Sequence, residues 1–206
     1  MSSTKKFPLK MPLTILLLIV VYLIVSIPFK VMEIIPGFTD IRPVSMLEPV
    51  YGIFFGIPGC LAFAIGNLIT DIVSDSLRWS SIAGFAANFA GPLCFYLFWD
   101  KLSRVPFDLR GIKNIFKHIA VILTAALIQA ILITPAVLFV YPEVDHLLLF
   151  ITIMINSTAF PILLGIPMLI ILQEELSFKP YTQRTQMPAA EHIKRRTRTH
   201  SPLAPK

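Results

Sequence analysis

The chain has 206 residues, 55% of them hydrophobic and 15% charged, with a mean hydropathy of +0.75. A soluble domain carries about 25% charged residues, so the composition excludes an ordinary soluble protein and indicates one integral membrane domain. The net charge of +6 suggests a nucleic-acid binder only until its distribution is considered.

Residues 1–10 are polar and basic, and Met11 to Phe29 then runs without a charge. At 1.5 Å per residue that run spans roughly 30 Å of hydrocarbon. A signal peptide is the competing reading, but Val25-Ser26-Ile27-Pro28 offers no small-x-small cleavage site. A retained first span is expected.

A loop follows, with turn signals at Pro36-Gly37 and Pro43. Pro49 to Thr70 is uncharged and reads either as one span or as two short helices, about 44–56 and 59–76, turned at Pro58-Gly59. The first of these is too short to cross upright and needs protein around it, as broken membrane helices do. Further uncharged runs cover Trp79 to Trp99, Ile119 to Pro142 and Leu147 to Gln173, and Pro135, Pro161 and Pro167 are expected to kink or unwind the last two.

Charge sets the parity. With six spans (about 11–29, 44–56, 59–76, 79–100, 117–140 and 147–173) and both termini in the cytoplasm, 15 of the 18 Lys and Arg residues lie inside, leaving Lys30, Arg42 and Arg78 outside. Five spans would split the basic loop 101–117 and the basic tail between the two faces, against the positive-inside rule. An all-α, six-helix transmembrane bundle with a broken second helix is therefore expected. Residues 176–206, with HIKRRTRTH, read as a disordered cytoplasmic tail beside anionic lipid, not as a nucleic-acid patch.

Catalytic signatures are missing: the chain contains no HExxH, GxSxG or GxxxxGK[ST] motif. Cys60 and Cys94 stand in apolar runs with no CxxC spacing, and read as packing residues rather than a disulfide or zinc site. His118 and His146 fall at span ends, and the sequon Asn156-Ser157-Thr158 lies within a span. No enzyme, metal or cofactor is expected.

Polar residues inside apolar spans are costly and usually face a cavity or a partner. Asn67 and Asp71 are four apart and share a helix face. Arg42 and Glu48 enter from the first outer loop, Trp79 and Asn88 belong to the fourth span, and Gln129 and Asn156 sit midway along the fifth and sixth. Together these eight are the candidate ligand site, a few polar groups in an apolar pocket. A purely structural role competes: Arg42 paired with Asp71 or Glu48 to pin a loop, Asn67 and Asn88 bonded across helices, and Trp79 in the interfacial belt. Gly52 and Gly56 form a GxxxG, and Ala62 and Gly66 repeat the spacing. They allow close helix approach, either inside the domain or against a partner.

Six short spans, a cytoplasmic N-terminus and a broken second helix resemble the substrate-binding S components of energy-coupling-factor vitamin transporters. The segments Ile41-Arg42-Pro43, Leu47-Glu48-Pro49-Val50, Gly52-Ile53-Phe54-Phe55-Gly56 and Gly66-Asn67-Leu68-Ile69-Thr70-Asp71 are similar to ones near the queuosine-precursor transporter group. The specific likeness covers about Asp40 to Leu102.

The resemblance implies a small-molecule binder in a bacterial or archaeal plasma membrane, docked on a coupling subunit driven by two ATPases. It also implies an outward pocket lined by Arg42, Trp79, Asn88, Gln129 and Asn156. One departure stands out. S components commonly present an Ala-x-x-x-Ala face on the first helix, whereas LTILLLIVVYLIVSIPF has Ser26 as its only small residue. Docking through Gly52/Gly56 or Ala62/Gly66 is one alternative, and a solitary membrane sensor or scaffold of the same fold is another. A lipid-acting enzyme using Asp71 and Asp75 lacks both a nucleophile and a metal-ligand set.

Overall fold

The computed structural model describes residues 10–35, 38–102 and 107–181; the basic tail from 182 onward and the first nine residues lie outside it. Among the described residues the chain is all-α apart from one small hairpin. Helix α1 (Lys10–Ser26) continues through a 3-10 turn, Ile27–Phe29, into strands β1 (Glu33–Ile35) and β2 (Thr39–Asp40). The strands pair antiparallel, with Glu33 opposite Asp40 and Ile35 opposite Thr39.

Residues 43–55 form a short irregular arm: a 3-10 stretch Pro43–Leu47, α2 (Glu48–Val50) and a π turn Tyr51–Phe55. Then come α3 (Gly56–Val73), α4 (Ser81–Leu97) with a π extension Phe98–Leu102, α5 (Ile112–Val140), α6 (His146–Phe160), a π turn Pro161–Gly165, and α7 (Ile166–Glu174). Four helical stretches are long and apolar enough to cross a membrane: Met11–Phe29, Pro43–Val73, Ile112–Val140 and His146–Glu174. Ser81–Leu97 is a shorter apolar helix.

The 31-residue stretch Pro43–Val73 is folded in two. Gly56 has φ +58 and ψ −140, a conformation that side-chain-bearing residues rarely adopt. On either side the arms run back along each other: Tyr51 lies against Gly59, and Arg42 reaches Asn67. The expected break is present, but at Gly56 instead of Pro58-Gly59. Pro58 sits in the first turn of α3, where a missing N–H costs nothing. The other prolines divide similarly: Pro161 opens a π turn and Pro167 starts α7, while Pro135 stays within an unbroken α5.

Helix α1 shows why the sequence alone reads as a plain span. Leu18, Ile19 and Tyr22 are buried, whereas Leu13, Leu16, Leu17, Val20, Val21 and Ile24 are all exposed. An exposed aliphatic stripe over three turns suits lipid, not water. The buried stripe meets α3, and the ring of Tyr22 packs edge-on against Phe63 at 4.8 Å. Tyr51 completes the layer, with its ring 5.6 Å from Phe63 and its hydroxyl donating to the Leu18 carbonyl at 2.6 Å.

Small residues make this closeness possible. Gly66 faces the Tyr22 ring, Gly52 faces Pro92 of α4, and Gly56 faces Tyr181 beyond α7. Gly52, Gly56, Ala62 and Gly66 are all buried. Their surfaces are used inside the molecule, the first of the two roles open to them in the sequence, and none of the four is exposed for docking a partner.

The two ends of the bundle differ. At one end the Gly56 apex is covered by the chain leaving α7, with Phe178 against Phe54 and Phe55. At the other end, the loops after α1, α3 and α5 come together. The first core polar groups lie just beneath them.

Candidate functional site

Arg42 is the hub of that end. It precedes the 3-10 stretch as its N-terminal flanking residue, so its side chain drops between α1, α3 and α4. Its Nη2 donates to Asn67 Oδ1 at 2.6 Å, to Asn88 Oδ1 at 3.1 Å and to the Tyr22 hydroxyl at 3.1 Å. Tyr22 in turn donates to Asn67 Oδ1 at 3.3 Å, and Asn88 Nδ2 to the Gly84 carbonyl at 2.7 Å. Asn67, Asn88 and Tyr22 are buried. Burial opposes the charge on Arg42, but Tyr22, Asp40 and Asp71 favour it. The net shift of its pKa is upward, and the guanidinium stays charged.

Asn156 serves the backbone of the same loop. Its Oδ1 accepts from the Arg42 N–H at 3.1 Å, and its Nδ2 donates to the Asp40 carbonyl at 2.8 Å. One amide on α6 thus closes two backbone groups of a segment that leaves β2 with no strand partner. It fixes where Arg42 begins.

Asp71 forms a second polar group one turn beyond Asn67. Lys30 Nζ lies 3.0 Å from its Oδ1 and 3.6 Å from Asp40 Oδ2, while Ser81 donates to Asp71 Oδ2 at 3.1 Å. Neither of the pairings considered from sequence forms: among the described residues Arg42 makes no ion pair with Asp71 or Glu48, and Lys30 takes Asp71 instead.

This pair is part-buried, with side-chain exposures of 21% and 14%, between a surface pair of little worth and a fully buried one. Lys30→Met is expected to lower stability by about 2 kcal/mol. Adding Asp71→Asn is expected to recover part of that loss, a coupling measurable from thermal melts of the single and double variants.

These groups border a cavity of about 110 Å³, lined by Lys30, Asp40 and Arg42 from the first loop, Asn67 and Asp71 from α3, and Gly84 and Asn88 from α4. Glu33 and Phe38 form part of its rim, and Ile133 and Val137 of α5 its apolar wall. Gly84 leaves this space open: a Cβ there would meet only Asn67 Nδ2, at 3.7 Å.

Two candidates form a separate group that does not line the cavity. Glu48 and Gln129 are almost completely buried, at 2% and 4% exposure. Both lie over Gly91, whose lack of a side chain leaves room for Gln129 Nε2 and Glu48 Oε2. Gln129 Oε1 accepts from Ser157 at 2.5 Å, but Glu48 Oε2 and Gln129 Nε2 have no well-formed hydrogen bond among the described residues. Trp79 joins neither group. It is 76% exposed, in the turn before α4, consistent with an interfacial position.

The structure therefore brings together Arg42, Asn67, Asp71, Asn88 and Asn156 and adds Tyr22, Lys30, Asp40 and Ser81 to them. Lys30 had a signal in the sequence, as one of the three basic residues that the six-span reading leaves outside. Tyr22 had none, being one aromatic in an apolar run. Among the described residues no cluster of three or more His, Cys, Asp or Glu could hold a metal ion. Comparison with protein-family models, with curated proteins and with solved structures finds no match to this chain.

Proposed function

We propose that this chain is the substrate-binding subunit of an energy-coupling-factor importer, holding a vitamin-like small molecule in the Arg42 cavity. The observation that carries this reading is the cavity itself. Polar side chains from the first loop, α3 and α4 converge on one space that a plain packing bundle would have filled. The helix folded at Gly56 accords with the same reading, since it places a loop residue among three helices.

In this proposal the chain makes six spans with both termini in the cytoplasm of a bacterial or archaeal cell. The cavity opens outward, and a coupling subunit with two ATPases supplies the ATP chemistry. A second reading is favoured by α1, whose exposed face carries only bulky aliphatic residues. That face lacks the small residues of a close helix–helix contact, which supports a solitary ligand-binding sensor. Co-purification from the native membrane separates the two: ATPase and coupling subunits in the complex support the importer, and their absence supports the sensor.

The test of the binding site itself is Gly84→Leu. A Cβ there meets only Asn67 Nδ2, at 3.7 Å, and the longer side chain is directed into the cavity's space, so the variant is expected to fold. It is also expected to lose the small molecule that native mass spectrometry finds retained on the wild-type protein. Retention by the leucine variant would remove this cavity from consideration.

A further inference from the structure

The sequence tolerates a zwitterion, an acid or a neutral base equally. The distribution of charge around the cavity does not. On one side, Lys30 is shared by two carboxylates, Asp40 and Asp71. Two negative charges face one ammonium, and the exposed Glu33 adds a third carboxylate at the rim.

On the other side stands Arg42. Its three side-chain hydrogen bonds all leave from Nη2, and all end on neutral oxygens. No carboxylate lies within ion-pair distance of its guanidinium among the described residues. Its Nε and Nη1 hydrogen-bond to no described residue, and the residue lines the cavity. Asn67, Asn88 and Tyr22 thus occupy Nη2, which both bidentate edges of the guanidinium share, and leave Nε and Nη1 as separate donors, each able to give a single charge-assisted hydrogen bond to a carboxylate oxygen.

We infer that the cavity takes a small zwitterion of the amino-acid kind, its carboxylate accepting a single hydrogen bond from the free N–H groups of Arg42 and its ammonium toward Asp40, Asp71 and Glu33. This rests on the ligand-binding reading of the cavity and narrows it. A simple anion would face the surplus of carboxylates, and a simple cation would face Arg42. Size points the same way. At about 110 Å³ the cavity is smaller than one of about 150 Å³ that accepts benzene. An amino-acid group fills it, and the remainder of any larger molecule extends through the mouth. The same chemistry arrives either as a free amino acid or as the serine headgroup of phosphatidylserine, which keeps its carboxylate and ammonium free.

The experiment uses the full chain. Native mass spectrometry of protein extracted from its own membrane reads the retained mass, which distinguishes a free amino acid from a phospholipid. Titration calorimetry then screens the standard amino acids and, for any that bind, the matching decarboxylated amine and deaminated acid. Each truncated analogue is expected to bind at least about tenfold more weakly than its parent, the ratio carried by one charge-assisted hydrogen bond.

Arg42→Lys keeps the charge but loses the free Nε and Nη1 donors, and is expected to weaken the parent by a similar factor while leaving the amine unaffected. Should the amine or the acid bind as well as the parent, the zwitterion is excluded. A retained molecule that lacks either a carboxylate or an amine would likewise sink this inference and leave the binding-subunit reading standing. No retained molecule and no heat of binding would overturn both.

Discussion

Arg42→Ala is expected to abolish ligand binding and also to lower stability by about 3 kcal/mol, the largest loss for any one side chain of the site. Three hydrogen bonds end at Nη2, and bonds to a charged group contribute ~1.5–3 kcal/mol each, less than additively when they share one atom. The alanine also leaves acceptors behind. Asn67 Oδ1 keeps the Tyr22 hydroxyl at 3.3 Å. Asn88 Oδ1 has no other donor among the described residues, although its Nδ2 keeps the Gly84 carbonyl. That orphaned oxygen is buried and costs about 1–3 kcal/mol.

Read from the sequence as a ligand-site residue, Arg42 is expected to tolerate alanine with weaker binding and an intact fold. The geometry makes it a strut between α1, α3 and α4. Thermal melting in detergent alongside calorimetry separates the two contributions. An Arg42→Ala protein that melts like wild type would show that the network contributes little to the fold. Arg42→Lys serves as the control, since one ammonium can reach some of the same oxygens but has no Nε or Nη1 donor left over for the ligand.

The helices were largely legible because lipid demands them: a long uncharged run in a bilayer must close its own backbone hydrogen bonds. The polar cluster was legible for the matching reason, since Asn67, Asp71 and Asn88 are too costly to stand in such runs without a partner. What sequence could not resolve was pairing and partition. Asp71 chose Lys30, 41 residues away, over nearer-seeming Arg42, because the end of α1 meets the end of α3 only once the bundle has assembled.

Glu48 and Gln129 were grouped with the cavity residues by apparent depth. Depth does not say which side of a helix faces which neighbour, and both turned out to face Gly91. Trp79 starts an apolar run in the sequence but lies in the turn before the helix begins at Ser81. The break in the second helix went to Gly56 over Pro58 because a reversal needs a residue that tolerates positive φ, whereas proline only needs a first turn.

Glycines that look alike in the sequence are expected to respond with opposite signs when each is replaced by alanine. In a helix interior the substitution itself gains up to about 1 kcal/mol, because alanine loses less backbone entropy than glycine. Gly84→Ala is expected to show that gain nearly undiluted, since the new methyl meets only Asn67 Nδ2 at 3.7 Å. At Gly52 the methyl would overlap the Pro92 carbonyl oxygen of α4, with the Pro92 carbonyl carbon and the Phe95 Cβ both at 3.0 Å. The obstacle is backbone, so no rotamer change relieves it, and the arm 43–55 must move away from α4. Overpacking of that kind costs ~1–3 kcal/mol or more. The net loss at Gly52 is expected to be about 2 kcal/mol. That movement also displaces the arm that begins at Arg42, so Gly52→Ala is expected to weaken binding of the cavity's ligand from a position that never touches it. Paired melting curves for the two alanine variants check the signs. Equal and small shifts for both would mean that the contact between this arm and α4 is looser than the geometry states, and the strut role of Arg42 would weaken with it.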